Sequence, residues 1–74
     1  MFKVYVVENK ETHQRAMKPT PDGLYMEEAL FVERIDAEKF KLQCDKNIGI
    51  HIVKPILMSR RRIYELYGNR IKID

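Results

Sequence analysis

The N-terminal run Phe2-Lys3-Val4-Tyr5-Val6-Val7 sets Phe2, Val4 and Val6 in alternation with Lys3, Tyr5 and Val7. Alternating β-branched and aromatic residues fit a pleated strand far better than a helix. A strand cannot stand alone, because each of its backbone N–H and C=O groups needs a partner once it is buried. The chain must therefore build a sheet. A second alternation, Ile48, Ile50 and Ile52 against Gly49, His51 and Val53, predicts a further buried strand, and Pro55 is expected to end it.

Size limits how much that sheet can support. A chain of 74 residues makes one domain, residues 1–74, and domains of this size bury only about 60 to 65% of their unfolded surface. Hydrophobic residues make up 45% of the chain, enough for a packed core and too many for a disordered tail. Small domains are commonly stapled by disulfides, a metal or a second subunit, and Cys44 as the only cysteine removes the first of these. A homodimer is the expected remedy. A lone cysteine and an N-terminus too short in apolar residues for a signal peptide point to a cytoplasmic protein. No apolar stretch approaches the roughly 18 to 20 residues of a membrane span, so no membrane contact is expected.

Between the two alternating runs the signals are mixed. The polar residues Glu8 to Thr12 predict a turn, from which His13 to Lys18 returns as an edge strand and completes an N-terminal hairpin. Pro19-Thr20-Pro21-Asp22-Gly23 ends that strand, since prolines remove donors and Asp-Gly suits a tight turn. From Leu24 to Asp45 helix formers compete with β-branched residues. Dividing the segment at Asp36 gives a strand over Ala29 to Ile35 and a helix over Ala37 to Lys46, with Asp36 as N-cap, Ala37, Phe40 and Cys44 on one face, and Asn47 or Gly49 as the left-handed stop.

The last segment admits two structures. As a helix, Ser59 is the N-cap, Met58 and Ile63 form a hydrophobic staple, Ile63, Leu66 and Tyr67 are buried, and Gly68 ends the element. As a hairpin, Gly68-Asn69 is the turn and Leu66 faces Ile71. The first gives a small α+β domain with an N-terminal β-hairpin, central strands and one or two short helices; the second gives an all-β small barrel with a C-terminal hairpin. The cap and staple favour the helix, although three arginines in its first turn oppose the helix dipole.

Motifs for chemistry are absent. His13, His51 and Cys44 have no metal-ligand spacing, Cys44 has no adjacent base, and the three glycines are isolated rather than gathered into a phosphate loop. Neither an enzyme nor a cofactor is expected. Charge is more informative: residues 22–45 carry seven acids against three bases, and residues 46–74 carry seven bases against two acids. Two binding surfaces follow. Glu27, Glu28, Glu33 and Glu38 predict an acidic face that engages a protein, mimicking DNA by electrostatic complementarity. Alternatively, Arg60, Arg61, Arg62, Arg70 and Lys72 neutralise phosphates while Tyr64 or Tyr67 stacks on a base. A helix fans the three arginines around its axis and favours the protein partner; a hairpin aligns Arg60 and Arg62 with Tyr64 and favours nucleic acid. In size, lysine and isoleucine content and lack of site chemistry, the chain resembles the small proteins with which phages modulate host replication or transcription. That compositional resemblance implies a regulator or inhibitor whose protein partner handles nucleic acid, with direct nucleic-acid binding as the alternative.

Overall fold

The computed structural model describes residues 1–73. Its elements run β1 (Phe2–Asn9), β2 (Met17–Pro19), β3 (Met26–Glu28), α1 (Arg34–Asn47), β4 (His51–Met58) and α2 (Arg60–Tyr67), followed by a 3-10 turn over Gly68–Arg70. This is a small α+β domain with four strands in two antiparallel pairs, β1 with β4 and β2 with β3.

β1 is hydrogen-bonded along both edges. One edge carries β4, from Phe2 opposite Met58 to Asn9 opposite His51. On the other edge Tyr5 exchanges bonds of 2.8 and 2.9 Å with Phe31, the Val7 carbonyl accepts from Ala16, and the Asn9 N–H donates to Gln14. Both faces are covered as well. Val4 and Val6 pack with Leu30, Ile63 and Tyr67 beneath α2, whereas Val7 packs with Ala16, Ala37 and Cys44 beneath α1. A strand sandwiched in this way needs apolar residues on both sides, hence the valines at successive positions.

The N-terminal turn comes later than expected, because Glu8 and Asn9 remain in β1. The Asn9 side chain accepts the N–H groups of Glu11 and Thr12, and His13 adopts a left-handed φ of 64° to close the reversal. The returning segment touches β1 over His13 to Ala16. It then leaves as β2, which pairs with β3 instead of extending the N-terminal hairpin.

Two further expectations are corrected. Ala29 to Ile35 is not a strand: only Phe31 bridges to β1, and Arg34 and Ile35 already belong to α1. Leu30 and Phe31 go to opposite sides of β1, one into each core cluster, which two residues of backbone achieve without a ladder. Glu33 is the N-cap, without a side-chain bond, and Asp36 lies inside the first turn, where its charge still complements the dipole. The buried stripe is Ala37 and Cys44 with Phe40 partly covered, as the spacing predicts.

Pro55 does not end β4. It pairs with Tyr5, whose own N–H and C=O point away toward Phe31, so this is a non-hydrogen-bonded pair. The missing N–H of Pro55 therefore lies on the edge of β4 away from β1, where this ladder does not need it, and there it discourages edge-to-edge association. The strand starts later than the alternation suggests because residues 48–50 lead out of α1. The Asp45 carboxylate accepts the His51 N–H at 2.7 Å and the Lys41 ammonium at 2.6 Å, fastening the end of α1 to the start of β4.

The closing segment is a helix. Ser59 Oγ accepts the Arg62 N–H at 3.1 Å, Met58 and Ile63 meet in one core cluster, and Gly68 ends α2 at φ 61°, ψ −138°, a backbone region that only glycine occupies readily. Leu66, expected in the buried stripe, faces outward; Ile63 and Tyr67 carry the packing alone.

Candidate functional site

Helical geometry fans the arginines of α2, at 100° per residue, onto different neighbours. Arg60 places its guanidinium 5.1 Å from the centre of the Phe2 ring. Arg62 lies on the other side, lining a groove of about 630 Å³ with Leu66, Tyr67, Glu28 and Arg15. Arg61 lines neither this groove nor the one beside Arg60. Tyr64, one turn after Arg60, shares its face and is 60% exposed. Lys72 returns to that face after the 3-10 turn, so Arg60, Tyr64 and Lys72 line one groove of about 450 Å³.

Arg70 has a structural task instead. Its guanidinium grips Glu27 through two bonds of 2.6 and 2.8 Å and donates a third, of 3.0 Å, to the Tyr67 carbonyl at the end of α2. The pairing holds the Glu27 carboxyl below its usual range and pushes the Arg70 guanidinium still higher. Arg70 thereby fixes the β2–β3 hairpin to the C-terminal turn and is not a free cation.

The same contacts divide the acidic residues. Glu27 is engaged with Arg70, and its side chain is only 14% exposed. Glu28 pairs with Arg15 at 3.3 Å, while its backbone carbonyl accepts the Tyr67 hydroxyl. Glu33 and Glu38 stand at the start of α1 and within it, exposed and without a cationic partner among the described residues. Two of the four carboxylates are thus engaged within the domain and two are exposed without a cationic partner among the described residues.

The structure also displays residues to which the sequence reading assigned no role. Leu24, Tyr25 and Met26 follow the Asp22-Gly23 turn and are 74, 72 and 58% exposed. Hydrogen bonds hold the loop that presents them. Asp22 Oδ1 accepts the Thr20 hydroxyl at 2.6 Å and the Leu24 N–H at 3.0 Å, and Thr20 and Tyr25 bond through the Thr20 N–H at 2.8 Å and the Tyr25 N–H at 3.2 Å. The Asp22 carboxyl is held below its ordinary range, chiefly by the Thr20 hydroxyl. Met17, on the neighbouring strand, adds a further exposed apolar side chain. A signal was available: three large apolar residues directly after a turn fit neither a two-residue nor a 3.6-residue period, so they had no core to serve.

The remaining candidate groups are internal. Cys44 is buried, and burial pushes its thiol up, away from the nucleophilic thiolate. His51 is buried against the end of α1, its Nδ1 donating to the Gly49 carbonyl at 2.6 Å. Glu8, also buried, is held below the usual carboxyl range by its bond to His13, with Lys54 at 3.6 Å contributing. Among the described residues no helix is long and apolar enough to cross a membrane. No family model, curated protein or solved structure matches the chain.

Proposed function

We propose that this protein is a non-enzymatic binding module that docks on another protein through the tip of its β2–β3 hairpin. The observation that carries the reading is the exposure of Leu24, Tyr25 and Met26 on a loop whose backbone is already held by hydrogen bonds. Displaying three consecutive apolar side chains to water is unfavourable unless a partner covers them, and aromatic and Met side chains are the types enriched at the centre of interfaces. Pre-ordering lowers the entropy lost on binding, so a small tip can act as an anchor.

Charge refines the partner. Glu33 and Glu38 remain free to steer toward a basic surface, while Arg60, Arg61 and Arg62 suit company that carries phosphate. A partner from the nucleic-acid machinery satisfies both, and the protein then acts as its modulator or inhibitor. Self-association through the same tip is the simplest competing arrangement.

The test is photo-crosslinking from a reactive residue at position 24, compared with one at position 10. A specific protein adduct at position 24 that disappears when Tyr25→Ser and Met26→Ser are added is the expected result. An adduct pattern unchanged by those two substitutions rules out the tip. Light scattering separates a second copy of the chain from a different protein, and Glu33→Gln/Glu38→Gln reports whether electrostatic attraction contributes.

A further inference from the structure

We infer that the groove between α2 and the C-terminal segment is a binding site for single-stranded nucleic acid, with Arg60 and Lys72 on the phosphates and Tyr64 stacked on a base. Its floor is apolar, made by Ile63, Ile71 and Ile73, all part of or packed against the core beneath α2. Polar groups ring it: Arg60, Lys72 and Asn69 are exposed at the mouth, and the Tyr64 ring is open to solvent. Among the described residues no carboxylate lines this groove.

Four of the fourteen lysines and arginines are engaged by carboxylates among the described residues. These are Arg15, Lys41, Lys54 and Arg70. Arg60 and Lys72 are among the ten with no such match among the described residues, and they differ from Arg61 and Arg62 in sharing one groove with the exposed Tyr64 ring. Arg60 is nonetheless held in position, because its guanidinium lies 5.1 Å from the Phe2 ring and keeps its N–H donors available. A fixed guanidinium, a second cation and an open aromatic face are the elements with which proteins hold single strands without reading sequence.

The geometry selects a single strand over a duplex. Fanning carries Arg61 and Arg62 away from this groove, so α2 offers no row of cations to follow a duplex backbone. A stacking tyrosine also needs a base face, which a paired duplex withholds. Two phosphates neutralised in a single strand give a shallow salt dependence, a log–log slope of about −1.4.

The experiment is fluorescence anisotropy with a labelled oligothymidylate of roughly a dozen nucleotides. Duplex DNA of the same length and free AMP serve as competitors, at low and moderate salt. Expected are competition by unlabelled single strand and weak competition by duplex or AMP. Tyr64→Ala should weaken binding by about 5- to 150-fold and Tyr64→Phe by less than about 2-fold, since the ring is retained. Arg60→Ala should flatten the salt slope by about 0.7, more than Arg61→Ala does. Circular dichroism confirms that these exposed substitutions leave the fold intact. Absence of binding at low salt, equal competition by duplex or AMP, indifference to Tyr64→Ala, or equal effects of Arg60→Ala and Arg61→Ala each overturn the inference. None of these outcomes touches the hairpin tip, so the docking proposal stands or falls separately.

Discussion

Tyr67 donates its hydroxyl to the backbone carbonyl of Glu28 across 2.7 Å, joining residues 39 apart in the sequence. The bond ties α2 to β3, an element with which it shares no ladder. Together with the Arg70–Glu27 pair it holds the β2–β3 hairpin against the C-terminal end of the domain. The two proposed binding surfaces therefore rest on one set of contacts. Tyr67 supports them from within: its ring is buried, and burial raises the phenol above its usual range.

Tyr67→Phe keeps the ring and removes the donor. The expected cost is about 0.5 to 1.5 kcal/mol, the net worth of one such hydrogen bond, read as a lower denaturation midpoint in urea. Tyr67→Ala also empties a core position and should cost about 3 to 5 kcal/mol, close to the whole stability of so small a domain. Tyr64→Ala, on the exposed face, should stay within about 0.5 kcal/mol of the parent. Equal losses at positions 64 and 67 would contradict the assignment of one tyrosine to the core and the other to the surface.

Ser59 and the arginines act on α2 in opposite senses. Ser59→Ala removes the cap on the Arg62 N–H and should cost about 1 kcal/mol. Arg61→Glu replaces an unfavourable charge in the first turn with a favourable one, and should stabilise the domain by about 0.3 to 1 kcal/mol at low salt and by less at high salt. Thermal melts at two ionic strengths measure both. A stabilised Arg61→Glu protein would mean that the arginines are carried at a cost to the helix, as expected of residues kept for a surface task.

How far the sequence foretold this architecture depends on whether a signal was local. The β1 alternation, the Ser59 cap, the Met58–Ile63 staple and the Ala37-Phe40-Cys44 face are all specified by neighbours within a turn or two, and each is present. Pro55 misled because its effect depends on which edge its missing N–H faces, and that is set by Tyr5 bonding to Phe31, not by anything near residue 55. Residues 29–35 misled similarly: strand-like side chains there fill two cores on either side of β1, a tertiary demand that overrides propensity. Arg60, Tyr64 and Lys72 can be named from the sequence among other basic and aromatic residues, but their gathering on one groove was not legible, because it depends on α2 being a helix and on the turn that returns Lys72 beside it. Nor was their separation from Arg70, because only the fold brings Arg70 to Glu27.

Acid should loosen the hairpin. Bonding to Arg70 lowers the folded-state pKa of Glu27 below its ordinary value of 4.5, so the stability it supplies is fully present above that value and is lost as pH falls through the folded value. Glu8, held mainly by His13, and Asp45, held mainly by Lys41, shift in the same direction and add to the loss. The melting temperature should fall between about pH 5 and pH 2. The Glu27→Gln variant should be less stable at neutral pH and lose less on acidification. A pH profile of that variant parallel to the parent's would show that the Arg70 pair contributes nothing to the pH dependence.

Cys44 reports on whether α1 stays docked. The residue is 5% exposed and packs against Val7, Ala16 and Ala37, and burial raises the thiol pKa, so both access and thiolate formation require α1 to lift or the domain to unfold. Labelling by a thiol-specific disulfide reagent should therefore be slower in native buffer than in denaturant by on the order of 10³-fold or more, following the fraction of molecules open. Phe40→Ala removes a ring packed on the same cluster and 5.5 Å from Phe31, so it should speed native labelling roughly tenfold for each 1.4 kcal/mol of stability lost. The exposed substitution Leu42→Ala, on the same helix, should leave the rate nearly unchanged. Native labelling as fast as in denaturant would mean that α1 does not cover β1, and the sandwich described around that strand would be wrong.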